Sequence, residues 1–181
     1  MSVVTSSHAL TRGVVFIHAT PVVLCPHLGW AIETVLGQPV KVSWTAQPLG
    51  SSLVRAELSW TGEPGTGALL ASALRGCQGA RFEVVEEPSP GHDGSRWSYT
   101  PSLGIHHAYV AANGDVMVTE ERLRTVLATG DHDRLRRELE TALGQPWDNE
   151  LEPFRHAGAV SYTHLRAHET DSYLVCRLLL E

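Results

Sequence analysis

The chain has 181 residues, 14 Lys or Arg against 20 Asp or Glu for a formal charge of −6, and 43% hydrophobic residues. That length and composition support one domain with a folded core rather than a disordered chain. A dominant basic surface for nucleic acid is excluded on charge, and no run reaches the roughly 18 apolar residues of a spanning helix.

Taken in chain order, Met1–Leu10 is Ser/Thr-rich and aperiodic, and residues 1–11 read as a disordered lead. Gly13-Val14-Val15-Phe16-Ile17-His18 is a β-branched apolar run bounded by Gly and by Thr20-Pro21, the pattern of a buried strand. Pro26 to Leu36 places Leu28, Ala31, Ile32, Val35 and Leu36 at helical spacing, then stops at Gly37 with Pro39 beyond. Val40–Trp44 and Val54–Trp60 both alternate with period two across a Pro/Gly/Ser loop, which predicts a hairpin with Trp44 and Trp60 paired on its core face.

Gly62–Gly67 opens a second helix over Ala68–Leu74, and Arg81–Glu86 is the fourth strand. The order βαββαβ predicts an α+β fold with a ferredoxin-like core, two helices covering one face of an antiparallel sheet. Arg96–Tyr99 and Ile105–Val110 continue as strands, Ala112-Asn113-Gly114-Asp115 signals a hairpin into Val116–Val118, and helices follow at Glu120–Ala128 and Asp131–Leu143. The additions to the core are thus a C-terminal hairpin and two helices. Trp147–Phe154 reads as an end segment that docks Trp147 and Phe154 on the core, and Trp30 and Trp97 are expected in the core too.

Three groups of residues bear on chemistry. His18, Cys25 and His27 surround the passage from the first strand into the first helix, where a helix N-terminus lowers a thiol's pKa and a neighbouring imidazole takes its proton. The same three residues, with His106 or His107, are the weaker alternative of a metal site; no close-spaced ligand pairs announce one. Packing and capping explain the cluster more simply than either. Gly62, Gly65, Thr66 and Gly67 form a loop whose N–H groups could face an anion, but a P-loop Lys is missing, Glu63 would repel phosphate, and a tight turn with Thr66 near the N-cap explains it more simply. His106 and His107 are adjacent, so on a strand only one faces inward. Arg134, Arg136 and Arg137 are interleaved with acids and read as a solvated helix face.

These readings favour a non-enzymatic module that binds a small molecule or a protein partner and regulates, with no cofactor, nucleic acid or membrane involved. The alternative is an enzyme or metal site at Cys25 with His27 or His18. With two Cys before the final stretch and no leader pattern, the chain reads as cytoplasmic.

Two resemblances complete the reading. Arg12–His18, Leu24-Cys25-Pro26-His27, Gly65-Thr66-Gly67, Glu86-Glu87-Pro88 and Leu143–Arg155 together resemble the actinobacterial family named domain of unknown function 3145, over Thr11 to about His156. The resemblance implies a small intracellular protein and assigns no activity. Ala159–Glu181 resembles a translated sequencing adaptor, so 12–158 is taken as a single α+β domain, 159–181 as a non-native tail, and the His164/His168 pair as carrying no chemistry.

Overall fold

A computed structural model describes residues 10–128 and 132–166, with 158–166 described by backbone alone. Residues 1–9 of the expected lead, Asp131 at the expected start of a helix, and 167–181 lie outside the described residues. Among the described residues the fold is mixed α/β, one seven-stranded antiparallel sheet and five α-helices. Strand β1 spans Thr11–Pro21, α1 Cys25–Leu36, β2 Thr45–Ala46, β3 Leu53–Gly62, α2 Thr66–Leu74 and β4 Arg81–Glu86. Then come β5 Gly94–Thr100, β6 Gly104–Val110, β7 Val116–Met117, α3 Glu120–Leu127, α4 His132–Ala142 and α5 Gln145–Arg166. The strands lie in the order β2-β3-β1-β4-β5-β6-β7. No helix among the described residues is long and apolar enough to cross a membrane.

Alternation along the central strands sends side chains to two different layers. Val15 and Ile17 of β1, Trp60 of β3, Phe82 and Val84 of β4 and Tyr99 of β5 join Leu28 and Ile32 of α1 and Leu70, Ala71 and Leu74 of α2 in one buried cluster. Gly13 is required there. A methyl group at that position would collide with the Val85 carbonyl oxygen and the Trp60 ring, so β1 passes the indole only without a side chain. Leu36-Gly37-Gln38-Pro39 at the end of α1 and Leu143-Gly144-Gln145-Pro146 after α4 each turn through a left-handed Gly, Gly37 at φ 67° and Gly144 at φ 81°.

Four expectations need correction. The hairpin before β3 is only two residues long, Thr45 opposite Arg55 and Ala46 opposite Val54. Val40, Val42 and Trp44 do pack against the core, which is what their alternation encodes, but the Val40 N–H donates to Glu33 Oε1 at 3.0 Å instead of to a neighbouring strand. Trp60 accordingly faces Gly13 of β1, not Trp44. Trp30 lies on the outer side of α1, 70% exposed. Thr11, assigned to the lead, is a buried strand residue whose hydroxyl donates to the Glu87 carbonyl at 2.9 Å.

The segment Trp147–Phe154 docks against the sheet, and it does so as part of a helix. Pro146 suits a first turn, and Trp147, Leu151 and Phe154 recur at i, i+4 and i+7. Pro153 sits inside the helix, at the cost of one backbone hydrogen bond. The helix continues through 159–166, the first part of the stretch read as adaptor. It lies on the sheet face opposite α1 and α2, with Leu151 fully buried and the Trp147 indole N–H donating to the Gly104 carbonyl at 2.9 Å.

Leu151→Ala should lower the unfolding free energy by about 2–5 kcal/mol in urea titration, the usual range for a fully buried leucine. A loss below about 1 kcal/mol would mean that α5 is not packed as described.

Candidate functional site

The face under α5 carries an ionic cluster built from alternate residues of β1, β4 and β5. Glu83, at the middle of β4, is 5% exposed although nothing in its immediate sequence announces a buried acid. Its register neighbours explain the position: Phe16 of β1 and Ser98 of β5 stand directly opposite, on the same face. Arg155 of α5 grips the carboxylate with a two-pronged fork, Nη2 donating to Oε1 at 2.6 Å and Nε to Oε2 at 3.0 Å. His18 Nε2 donates to Oε2 at 2.7 Å and the Ser98 hydroxyl to Oε1 at 3.2 Å. Arg155 reaches Asp148 Oδ1 as well, at 2.8 Å, and Arg96 lies 3.6 Å from Asp148 Oδ2.

Burial alone would raise the pKa of Glu83. The hydrogen bonds and charges of His18 and Arg155 together outweigh it and hold the carboxyl at about 2, against an ordinary 4.5. In the same way the carboxylates around Arg155 overcome its burial and push its pKa further up. A second buried tie backs this one: Gln47, 2% exposed, donates through Nε2 to the His18 carbonyl at 2.7 Å and the Phe154 carbonyl at 3.3 Å.

Beside the cluster a cavity of about 550 Å³ opens between the sheet and α5. Phe16 and His18 of β1 with Arg55 and Glu57 of β3 form the floor, and Phe154 and Arg155 supply the wall from α5. Ser43 and Thr45 stand at the β2 side. The His18 ring stacks on Phe16 at 6.0 Å and Arg81 lies over the Phe154 ring at 4.7 Å, so both phenyl rings have a fixed neighbour. Arg55 and Glu57 make no side-chain ion pair or hydrogen bond among the described residues.

The residues singled out from sequence are not gathered in one place. His18 points to the α5 face and belongs to the Glu83 cluster, whereas Cys25 begins α1 on the other face and His27 is exposed. Burial of the Cys25 thiol outweighs its backbone hydrogen bond and raises its pKa, the opposite of what a nucleophile at a helix start needs. Cys77 is likewise raised by burial. Among the described residues no group of three or more His, Cys, Asp or Glu is placed to hold a metal ion.

The glycine loop does cradle an anion, and the anion is the protein's own. Glu86, 5% exposed, accepts from Gly65 N and Gly67 N, one on each oxygen and both at 2.7 Å. Gly65 has φ 95°, and a side chain at Gly67 would run into Glu86 and Trp97. Thr66 donates to the Glu63 carbonyl at 2.7 Å, and a side chain at Gly62 would meet that same Thr66. His106 and His107 lie on opposite faces of β6, as adjacent strand residues must, with His106 half-buried beneath α5 and His107 exposed. His106 stacks on Trp147 at 4.7 Å and His107 on Trp97 at 4.9 Å, and burial lowers both pKa values.

A family model described as Protein of unknown function (DUF3145) matches residues 14–166. No curated protein and no solved structure matches the chain.

Two outcomes follow from these surroundings. The pKa of Glu83 is lower in the folded than in the unfolded chain, so its stabilisation is complete above about pH 4.5 and is lost as pH falls toward 2. The lost amount is on the order of 3 kcal/mol. Glu83→Gln should flatten that acid limb in urea melts from pH 7 to 2.5 and cost about 3–5 kcal/mol at pH 7, because Arg155 and His18 lose their counter-charge. Cys25, for its part, should react with iodoacetamide at pH 7 no faster than free cysteine, with His27→Ala leaving the rate unchanged; rapid alkylation that falls in the variant would restore the thiol reading.

Proposed function

The chain belongs to this family, and from that premise we propose that it is a small-ligand-binding module whose site is the cavity between the β1-β3-β4 face and α5. The observation that carries the reading is Arg55, whose side chain has no partner among the described residues, in a cavity of about 550 Å³ flanked by Phe16 and Phe154. Binding sites for small molecules fall in this size range and combine apolar walls with a few converging polar groups. His18 lines the cavity as a fixed surface, since Glu83 holds its ring through Nε2. The floor is sheet and the wall is helix, both pinned by buried ionic contacts, so the site needs little reorganisation to bind.

We read the first half of the fold as ferredoxin-like. The order β2-β3-β1-β4 with antiparallel neighbours, and α1 and α2 packed in one cluster on one face, support that reading. Residues 12–158 are taken as one domain, supported by a single sheet with helices on both faces, and 159–181 as the adaptor-derived tail. The glycine loop is read as structural, since Glu86 fills it.

Thermal-shift screening of small metabolites tests the site. A ligand at about 100 times its Kd should add roughly 2.7 kcal/mol of stability. Thr45→Trp, which places an indole at the cavity's exposed strand edge, should abolish that gain without changing the melting temperature of the free protein. Equal stabilisation of both proteins would put the site elsewhere, and no stabilisation by any compound would remove the ligand reading.

A further inference from the structure

The charges around the cavity divide into two sets. His18, Glu83 and Arg155 satisfy one another at 2.6–3.0 Å, so a ligand gains little by competing for them. Arg55 and Glu57 are left. They occupy alternate positions of β3, hence the same face with their Cα atoms about 6–7 Å apart, and neither is spent on the other or on any described neighbour.

That pair discriminates by charge. A ligand carrying only an anion would pair with Arg55 but meet Glu57 and the nearby Glu83. A ligand carrying only a cation would pair with Glu57 but meet Arg55 and Arg155. A molecule with a carboxylate and an ammonium on one carbon satisfies both groups at once and sets each charge against its opposite. The remaining volume lies against Phe16, which stands directly opposite Glu57 in the β1–β3 ladder, and against Phe154 on the α5 side. Two aromatic walls and about 550 Å³ leave room for a large apolar or aromatic group beyond the charged end.

We infer that the cavity takes a free α-amino acid with an aromatic or large apolar side chain, its carboxylate on Arg55, its ammonium on Glu57 and its side chain between Phe16 and Phe154. This inference rests on the ligand-binding reading of the same cavity and narrows it to one chemical class.

Isothermal titration of the full 181-residue chain with three compounds of equal apolar size separates the contributions. L-phenylalanine carries both charges, 3-phenylpropionate lacks the ammonium, and 2-phenylethylamine lacks the carboxylate. Phenylalanine should bind at least about tenfold tighter than either analogue, as expected for one charged hydrogen bond lost. Glu57→Gln should erase its advantage over 3-phenylpropionate, and Arg55→Met its advantage over 2-phenylethylamine; both side chains lie outside the buried core, and circular dichroism should show both variants folded. If 3-phenylpropionate binds as tightly as phenylalanine and that binding disappears in Thr45→Trp, the cavity stands as a ligand site and the amino-acid inference is overturned. If none of the three compounds binds while other molecules in the screen do so in a Thr45-dependent way, the inference likewise falls and the site remains. Absence of any cavity ligand removes both.

Discussion

A single buried carboxylate holds the second layer of this protein in place. Glu83 projects from the middle of the sheet toward α5, and its two oxygens take the fork of Arg155 together with the His18 ring. A charge this deeply buried is tolerated only when its hydrogen-bonding capacity is met, and four donated bonds meet it. Leu151 and Trp147 supply apolar contact along the same helix, but ionic geometry fixes where α5 sits. The cavity depends on that placement, since Phe154 precedes Arg155 in the chain and forms the wall that faces Phe16.

Strand β4 repeats the device on its other side. Glu83 and Glu86 are three apart, so the alternation of a strand sends them to opposite faces. Glu86 meets the N–H groups of Gly65 and Gly67 and anchors the start of α2, as Glu83 anchors α5. One six-residue strand therefore ties down a helix on each face through buried acids. A consequence for function is that the Gly65 and Gly67 N–H groups are already occupied. On the α5 side Arg55 and Glu57 have no side-chain partner among the described residues.

Much of the architecture was legible in the chain. The β4 boundaries, the left-handed glycines after α1 and α4, and the apolar face of α1 all follow from local rules, because each depends on residues a few positions apart. The Glu83 site was not legible in that way. Arg81-Phe82-Glu83-Val84-Val85-Glu86 alternates like a strand with one wet face, and only the arrival of α5 some sixty residues later makes that face interior. The signal for α5 was present in Trp147, Leu151 and Phe154 at helical spacing, with Asp148 and Arg155 seven apart on one side, and was obscured by Pro153. The Cys25 cluster misled for a related reason. Nearness in sequence across a strand-to-helix passage does not say which side of the sheet each residue reaches, and His18 and Cys25 go to different sides.

The central claim is that Glu83 and Arg155 act as one unit that seats α5. A double-mutant cycle of Glu83→Gln and Arg155→Met, read by urea unfolding at pH 7, measures that unit directly. The double variant should be destabilised by at least about 1.5 kcal/mol less than the sum of the two single variants, as for residues sharing a buried charge contact. Additivity to within about 0.5 kcal/mol would contradict it.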